Sequence, residues 1–389
     1  MKRLIIIALV SVTIPALFAD EELDFYTEQF NNAVTVLEQL GFVKTVVNQN
    51  MSDADGFYAM ALDRLLFEYP AVKSAQERQA ADEMAILLVQ QLGNDQYADA
   101  GQKVWRVVKT FSNAMVKSES LIALGQMNAT DLLPHVVQIL VDTNTKGPVN
   151  RTSGERIAYG AITALANYKD PSGYAPVFFA ANGWYQLWVK KAANETLPLL
   201  AEDPAEHLIA IIQDAAYTYD QKLLALKTIE QSSTADENKV KAAIAGITFG
   251  WAGSSPSPDL QYKRVQIRKT ALGIINTYGA GDDAASILNY LNWSYRYAAD
   301  EEEQLYAIGA FSTLASDEAV QYLGTYTIEL NDKKARRTFN ATDERRIRAL
   351  IAGLGNTQNQ NAKLYLQAVL SVQWTHQIQK IAQQALNNL

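Results

Sequence analysis

A single pattern recurs along this chain: an Ala-Leu-Gly or similar triplet that closes a stretch with helical spacing of apolar residues. It is clearest around Leu124, in IALGQMNATDLLPHVVQIL. Weaker and stronger copies have their anchor residue at Leu92, Leu165, Leu197, Ile229, Ile275, Leu314, Leu354 and Leu386. Successive anchors are 32 to 46 residues apart. Self-similarity at such a period indicates stacked supersecondary units rather than one closed core.

Each copy of the pattern predicts two helices joined by a short turn. Small residues precede the anchor by three or four positions and would allow close helix packing: Ala161, Ala193, Ala271 and Ala310. A second apolar helix follows, such as Leu132 to Leu140. The turns contain residues that start helices, namely Asp170-Pro171, Asp203-Pro204 and Ser316. Because strand-like alternation is almost absent, the sequence predicts an all-α fold.

This pattern resembles the HEAT-repeat family, and especially the HEAT-like repeats of the phycobilin-lyase type. The resemblance covers Ser74 to Leu389. It implies a right-handed, armadillo-like α-solenoid of about nine helical pairs. The family often has an Asp and Arg ladder, but here a cation lies seven residues before the anchor, at Lys117, Lys190, Lys222 and Arg268, mostly without a matching Asp. Tetratricopeptide repeats keep a period near 34 residues, which the variable spacing disfavours.

The chain divides into three predicted regions. Residues 1–19 have two cations, Lys2 and Arg3, then an apolar run from Leu4 to Phe18 and a small residue, Ala19. This layout is typical of a cleaved secretory signal peptide, and the run is shorter than the roughly 20 residues of a membrane span. We therefore expect export to the periplasm or beyond, with no membrane span in the mature chain. Residues 20–73 are predicted to form a helical cap, and residues 74–389 the repeats.

Composition excludes several functions. The net charge is −8, and it becomes more negative if the leader is removed, so nucleic acid is not an expected partner. No cysteine is present, so an exported chain would depend on its apolar core rather than on disulfides. The three histidines, His135, His207 and His376, fall in different repeats. We therefore expect no catalytic residues, no cofactor and no metal site.

Four anchor intervals are longer than the others, and the additional residues fall between the second helix of one copy and the first helix of the next. These segments are residues 141–155, 250–263, 292–304 and 331–345. Insertions at one topological position project from one edge of a solenoid, and such edges are often binding faces. Four of the six tryptophans lie at this topological position in one copy of the repeat or another: Trp251 and Trp293 within these segments, and Trp184 and Trp374 in the corresponding connection of other copies. These aromatic residues either form binding hot spots or plug the helix ends by packing over the next repeat.

Basic clusters lie in the same part of the chain, at residues 262–269, 333–337 and 344–348. They would form either a positive strip facing an acidic partner or solvated helix starts. Together with the aromatic residues, they give the candidate partner-binding set: Trp184, Trp251, Tyr262, Arg264, Arg268, Trp293, Tyr295, Tyr297, Arg336 and Arg337.

Two functional hypotheses follow. The first is a non-catalytic, exported scaffold that binds a partner protein through its concave face or through the edge with the long connections. The alternative is an exported carbohydrate-binding or polysaccharide-active all-α protein. Glycoside hydrolysis would require two carboxylates facing each other across the substrate, and the sequence does not single out such a pair.

Overall fold

The segments in which apolar residues recur at helical spacing form helices along the chain. The computed structural model describes residues 21–147, 150–253 and 257–389, and no strand occurs within these ranges. The predicted all-α class is therefore confirmed. The predicted leader, residues 1–19, lies outside the described residues. The chain separates into two units, the first ending at Glu202 and the second beginning at Asp203.

The first unit contains ten helices among its described residues. They are α1 (21–32), α2 (Val36–Gln49), α3 (Asp55–Glu68), α4 (Ala75–Asn94), α5 (Gly101–Thr110), α6 (Ala114–Gln126), α7 (Leu133–Lys146), α8 (Arg151–Tyr168), α9 (Tyr174–Asn182) and α10 (Leu187–Leu200).

The second unit contains ten further helices within its described ranges. They are α11 (Ala205–Gln213), α12 (Tyr219–Gln231), α13 (Asp236–Trp251), α14 (Pro258–Tyr278), α15 (Ala284–Arg296), α16 (Glu301–Leu314), α17 (Asp317–Ala335), α18 (Ala341–Asn356), α19 (Ala362–Leu370) and α20 (His376–Asn387).

All nine anchor residues lie in the even-numbered helices from α4 to α20. Within each unit, successive even helices pack against one another, as α4, α6 and α8 do, and each of them also packs against the odd helix that precedes it. The predicted small residues before the anchors, such as Ala161 and Ala271, are fully buried in these contacts. The sequence repeat is thus a packing repeat inside each unit.

The glycine of the Leu-Gly motif has a steric role. A Cβ at Gly125 would lie 2.6 Å from Cα of Ala164, so α6 and α8 cross with their backbones in contact. A Cβ at Gly93 would also come too close to Ala123 in α6, at 2.9 Å from its Cα. Real Cβ atoms do not approach backbone so closely, so the glycine directly after the anchor sets how near successive even helices lie.

Several even helices end on a residue in the left-handed conformation four positions after the anchor. The clearest examples are Gln96, Asn128 and Lys169, with φ values of 56°, 52° and 53°. After Leu92, the N–H of Tyr97 donates to the anchor carbonyl, which is the Schellman pattern of helix termination. This backbone turn, rather than proline or glycine, fixes the length of these helices.

The predicted helix-starting residues act as caps. Asp170 accepts a hydrogen bond from the Ser172 N–H, and Ser316 accepts one from the Ala319 N–H. Asp203 likewise accepts from the Ala205 N–H at the start of α11.

The long connections are shorter than the sequence suggests, because most of their residues extend the flanking helices. The last one illustrates this: α17 continues to Ala335 and α18 begins at Ala341, so only residues 336–340 lie between them. The region predicted as an N-terminal cap also joins the repeat packing, since α2 packs on α4 and α3 packs on both α4 and α5. The packing repeat therefore begins before the sequence repeat is recognisable.

A helix that crosses a bilayer must be both long and predominantly apolar. Among residues 21–147, 150–253 and 257–389, no helix combines the length and the apolar character needed to cross a membrane.

Buried tyrosines make the fold sensitive to alkaline pH. Burial raises the pKa of Tyr58 and Tyr295 from 10.0 to about 12. It also raises the pKa of Tyr168, Tyr185 and Tyr326. Because the folded pKa values exceed the unfolded one, this contribution to stability is complete below pH 10 and is lost as the pH rises toward the folded values.

We therefore expect the free energy of unfolding to fall above pH 10, together with delayed formation of tyrosinate. Urea titrations at stepped pH, with ultraviolet absorbance of tyrosinate, measure both quantities. Full ionisation of all tyrosines near pH 10 in a chain that stays folded would contradict the prediction.

Candidate functional site

Three aromatic residues gather where α13 and α15 end, and we call this group the tryptophan edge: Trp251, Tyr290 and Trp293. The ring centroids of Trp251 and Trp293 lie 6.0 Å apart at an interplanar angle of 67°. Tyr290 meets Trp293 at 5.4 Å and 86°. Such edge-to-face pairs are favourable arrangements of aromatic rings. Two consecutive odd helices thus present their last turns as one aromatic cluster.

Trp251 is held from two sides. Its indole Nε1 donates a hydrogen bond of 2.9 Å to Oγ of Ser294, which is fully buried in α15. The guanidinium carbon of Arg268 lies 4.2 Å from the centre of its ring, within the range of a cation–π interaction. The indole is therefore fixed in position and supports the ring of Trp293.

Arg268 is itself fixed by a buried carboxylate. Its Nε and Nη2 donate to the two carboxylate oxygens of Glu303, at 2.5 and 3.0 Å, and its Nη1 donates to the carbonyl of Gly250 at 3.1 Å. Glu303 is fully buried and also accepts from the N–H of Ala299. A bidentate contact of this kind between a guanidinium and a carboxylate is the strong form of an ion pair. The predicted binding residue Arg268 therefore acts inside the protein.

Arg264 also points inward. It donates to the carbonyls of Gly250, Ala252 and Gly253 at the end of α13, with its side chain almost wholly buried. Lys222 does the same for α11, since its Nζ donates to the carbonyls of Ile211, Ile212 and Asp214. Helix ends leave carbonyls without partners, and a cation satisfies them while opposing the helix dipole.

Three of the predicted aromatic residues face solvent. The exposed fraction is 40% for Trp293, 69% for Tyr297 and 64% for Tyr262, which lies near the start of α14. Trp293 differs from the other two because it rests on rings that are already fixed. An indole that is held before binding loses little conformational freedom when a partner covers it.

Tyr295 is buried instead. Its ring stacks on Tyr326 at 3.8 Å, and the Tyr326 hydroxyl donates a hydrogen bond of 2.8 Å to Oδ1 of Asn292. Arg296, next in sequence, pairs with Glu329 of α17. The stack of Tyr295 on Tyr326 joins α15 to α17 beneath the surface, whereas the pair of Arg296 and Glu329 joins them at the surface.

Trp184 and Trp374 fit the plug interpretation. Trp374 is 5% exposed, and its Nε1 donates to Oδ1 of Asn331 at 2.8 Å. In the first unit, Trp184 is half-buried against Tyr185, and its ring lies so close to Gly154 that a Cβ there would be 3.0 Å away. Both indoles close the ends of helices rather than offering a face.

The remaining basic candidates, Arg336 and Arg337, are exposed in the short connection between α17 and α18. Arg337 has φ of 58°, so the chain reverses direction at this residue. No contact joins these two residues to the tryptophan edge among the interactions found in the described ranges. Of the ten candidates, Trp251 and Trp293 are in mutual contact, supported by Arg268.

Sequence reasoning missed three residues of this site: Tyr290, Ser294 and Glu303. Glu303 lies in an acidic run, residues 301–303, which by itself predicts a solvated helix start. A signal was nevertheless available, because Glu303 and Asp343 each lie eleven residues before an anchor, and both are fully buried. In the two copies that have an acidic residue at that position, the side chain is buried.

Comparison with known proteins adds no relative to this picture. No family model matches the chain, and no curated protein matches its sequence. The role of the tryptophan edge therefore has to be inferred from its geometry.

Proposed function

We propose that this chain is an exported, non-catalytic scaffold that binds a partner protein through the tryptophan edge. We further propose that the helices of each unit continue the HEAT-like, right-handed solenoid implied by the sequence resemblance. The succession of even helices packed one on the next within each unit supports the second proposal. Because fold alone does not determine function, the first proposal depends on the site.

The observation that carries the proposal is the state of Trp293. Its ring is 40% exposed, yet it is held edge-to-face by Trp251 and Tyr290. Tryptophan is the residue type most enriched among binding hot spots, where a few residues supply most of the affinity. A fixed, half-exposed indole is suited to that role, whereas an indole that only fills the core would be covered.

The angles between the rings favour a protein partner over a glycan. A sugar ring stacks flat on an aromatic face, and a binding platform for several sugars needs rings that lie roughly in one plane. Trp293 stands at 67° to Trp251 and at 86° to Tyr290. The cluster therefore presents no flat platform of rings, whereas the half-exposed indole of Trp293 can pack against a side chain of a protein partner.

The proposal predicts that Trp293→Ala weakens partner binding at least tenfold while helix content stays unchanged. The tagged chain is crosslinked in envelope fractions of the producing cell, and the retained protein is identified by mass spectrometry. Its affinity is then measured with the purified pair.

The matched control is Leu364→Ala, which removes another exposed apolar side chain of the second unit, 67% exposed in α19. We expect the control to retain the partner. Equal retention by Trp293→Ala, or recovery of glycan alone, would refute the role assigned to the edge.

A further inference from the structure

A second exposed aromatic surface lies in the first unit and is formed by side chains of three successive even helices. We call it the Tyr159 face: Met115 of α6, Arg156 and Tyr159 of α8, and Leu187 and Trp188 of α10. Tyr159 and Trp188 are 37% and 41% exposed, and their ring centroids lie 5.3 Å apart. Leu187 is 82% exposed. Tyr159 and Trp188 therefore form a contact across two helices that stays open to solvent.

The backbone beneath this face is rigid. A Cβ at Gly160 would lie 2.6 Å from the carbonyl oxygen of Ser118, so α8 lies directly against α6 next to Tyr159. The crossing at Gly125 and Ala164 fixes the same pair of helices two turns further on. Side chains that rise from such closely packed helices are held at constant separation.

Arg156 gives the face its chemical character. One of its Nη atoms contacts the sulfur of Met115 at 3.3 Å, and a thioether is only a weak acceptor. Within the described ranges, no ion pair joins Arg156 to a carboxylate, whereas on two earlier even helices, α2 and α4, Lys44 pairs with Glu83 at 2.6 Å. Arg156 lies one turn before Tyr159, so both project from the same side of α8. The face thus offers a cation beside exposed aromatic rings.

We propose that the Tyr159 face binds a protein segment that presents a carboxylate next to an apolar side chain. The carboxylate pairs with Arg156, and the apolar side chain packs on Tyr159, Leu187 and Trp188. Tyrosine, tryptophan, methionine and arginine are the residue types enriched in interface cores. The exposed aliphatic Leu187 and the 47° angle between the rings favour a side chain over a sugar. This inference is independent of the tryptophan edge.

The test selects short random peptides, displayed on phage, for binding to the purified full chain. We expect enriched peptides with Asp or Glu beside Leu, Phe or Trp. Their affinity, measured by fluorescence anisotropy, should fall at least tenfold for Trp188→Ala. For Arg156→Gln it should fall severalfold, and the remaining binding should depend less on salt. Leu364→Ala, which removes an exposed apolar side chain of α19, is the matched control and should bind as the unchanged chain does.

Leu187→Asp provides a variant that does not disturb packing, because the Leu187 side chain is almost fully exposed. We expect it to lower the peptide affinity as much as Trp188→Ala does. Selection of peptides without an acidic residue would overturn the proposal. The proposal would also be overturned if Leu187→Asp and Arg156→Gln left the peptide affinity unchanged, or if no peptide could be selected. Binding of an oligogalacturonate that Leu187→Asp abolishes would replace the protein segment with an acidic glycan. Peptides that lose affinity for Trp293→Ala but not for Trp188→Ala report on the tryptophan edge, so the two proposals are tested separately.

Discussion

Replacing Gly125 with alanine should lower the free energy of unfolding by about 3 kcal/mol, at the upper end of the usual cost of overpacking. The added Cβ would lie 2.6 Å from Cα and 2.7 Å from the carbonyl oxygen of Ala164. Backbone atoms cannot rotate away as a side chain can, so α6 and α8 must separate along their whole contact. Chemical denaturation followed by circular dichroism measures the loss.

Gly41→Ala is the matched control. Gly41 lies inside α2, and a Cβ there meets no atom within 4 Å. Since alanine is the better helix former, we expect this variant to gain about 0.5–1 kcal/mol. The same chemical change should therefore have opposite signs at the two sites. Equal stability of the two variants would show that α6 and α8 do not cross at Gly125.

Removal of the Glu303 carboxylate should have a comparable effect, and Glu303→Ala should cost about 3–5 kcal/mol. The guanidinium of Arg268 would stay buried, at 6% exposure, without a counter-charge. Its stacking on Trp251 would also be disturbed, so we expect a shift in tryptophan fluorescence before global unfolding. Denaturation curves recorded by fluorescence and by circular dichroism report the two effects separately.

Glu237→Ala tests whether burial is the cause. Glu237 pairs with Lys241 at 2.7 Å, but both side chains are largely exposed, so removal of this pair should have no measurable effect. The double variant Arg268→Met with Glu303→Leu should recover most of the loss, because apolar residues of similar size can replace a buried pair. A Glu303→Ala variant as stable as Glu237→Ala would contradict the assignment.

Much of the fold could be predicted because the repeat encodes packing directly. The apolar spacing identified the helices, and the small residues identified the face that packs against the next even helix. Gly125 follows its anchor because only hydrogen fits against Ala164. Helix caps could be predicted equally well, since Ser316 needs only the backbone of its own helix to act as a cap.

The turns and the buried charges were harder to predict. Gln96 and Lys169 adopt the left-handed conformation, yet neither is a residue type that signals it. Basic residues such as Arg264 read as surface residues because charge favours water. Their burial depends on carbonyls at the end of the preceding helix and, for Arg268, on a carboxylate 35 residues later. Pairings of this kind come from tertiary contacts that a single sequence does not display.

The pairing of helices with near neighbours has a consequence for folding. All the extensive helix contacts of the described residues join helices one or two places apart in the chain. Chains with such local contacts need no long loop closure and fold fast for their size. Opening should likewise spread from helix to helix, with amide hydrogen exchange fastest at the end helices of a unit. A partner bound to Trp293 would therefore slow amide hydrogen exchange most in α13 to α16. This local protection would identify the bound surface even when the partner itself is unknown.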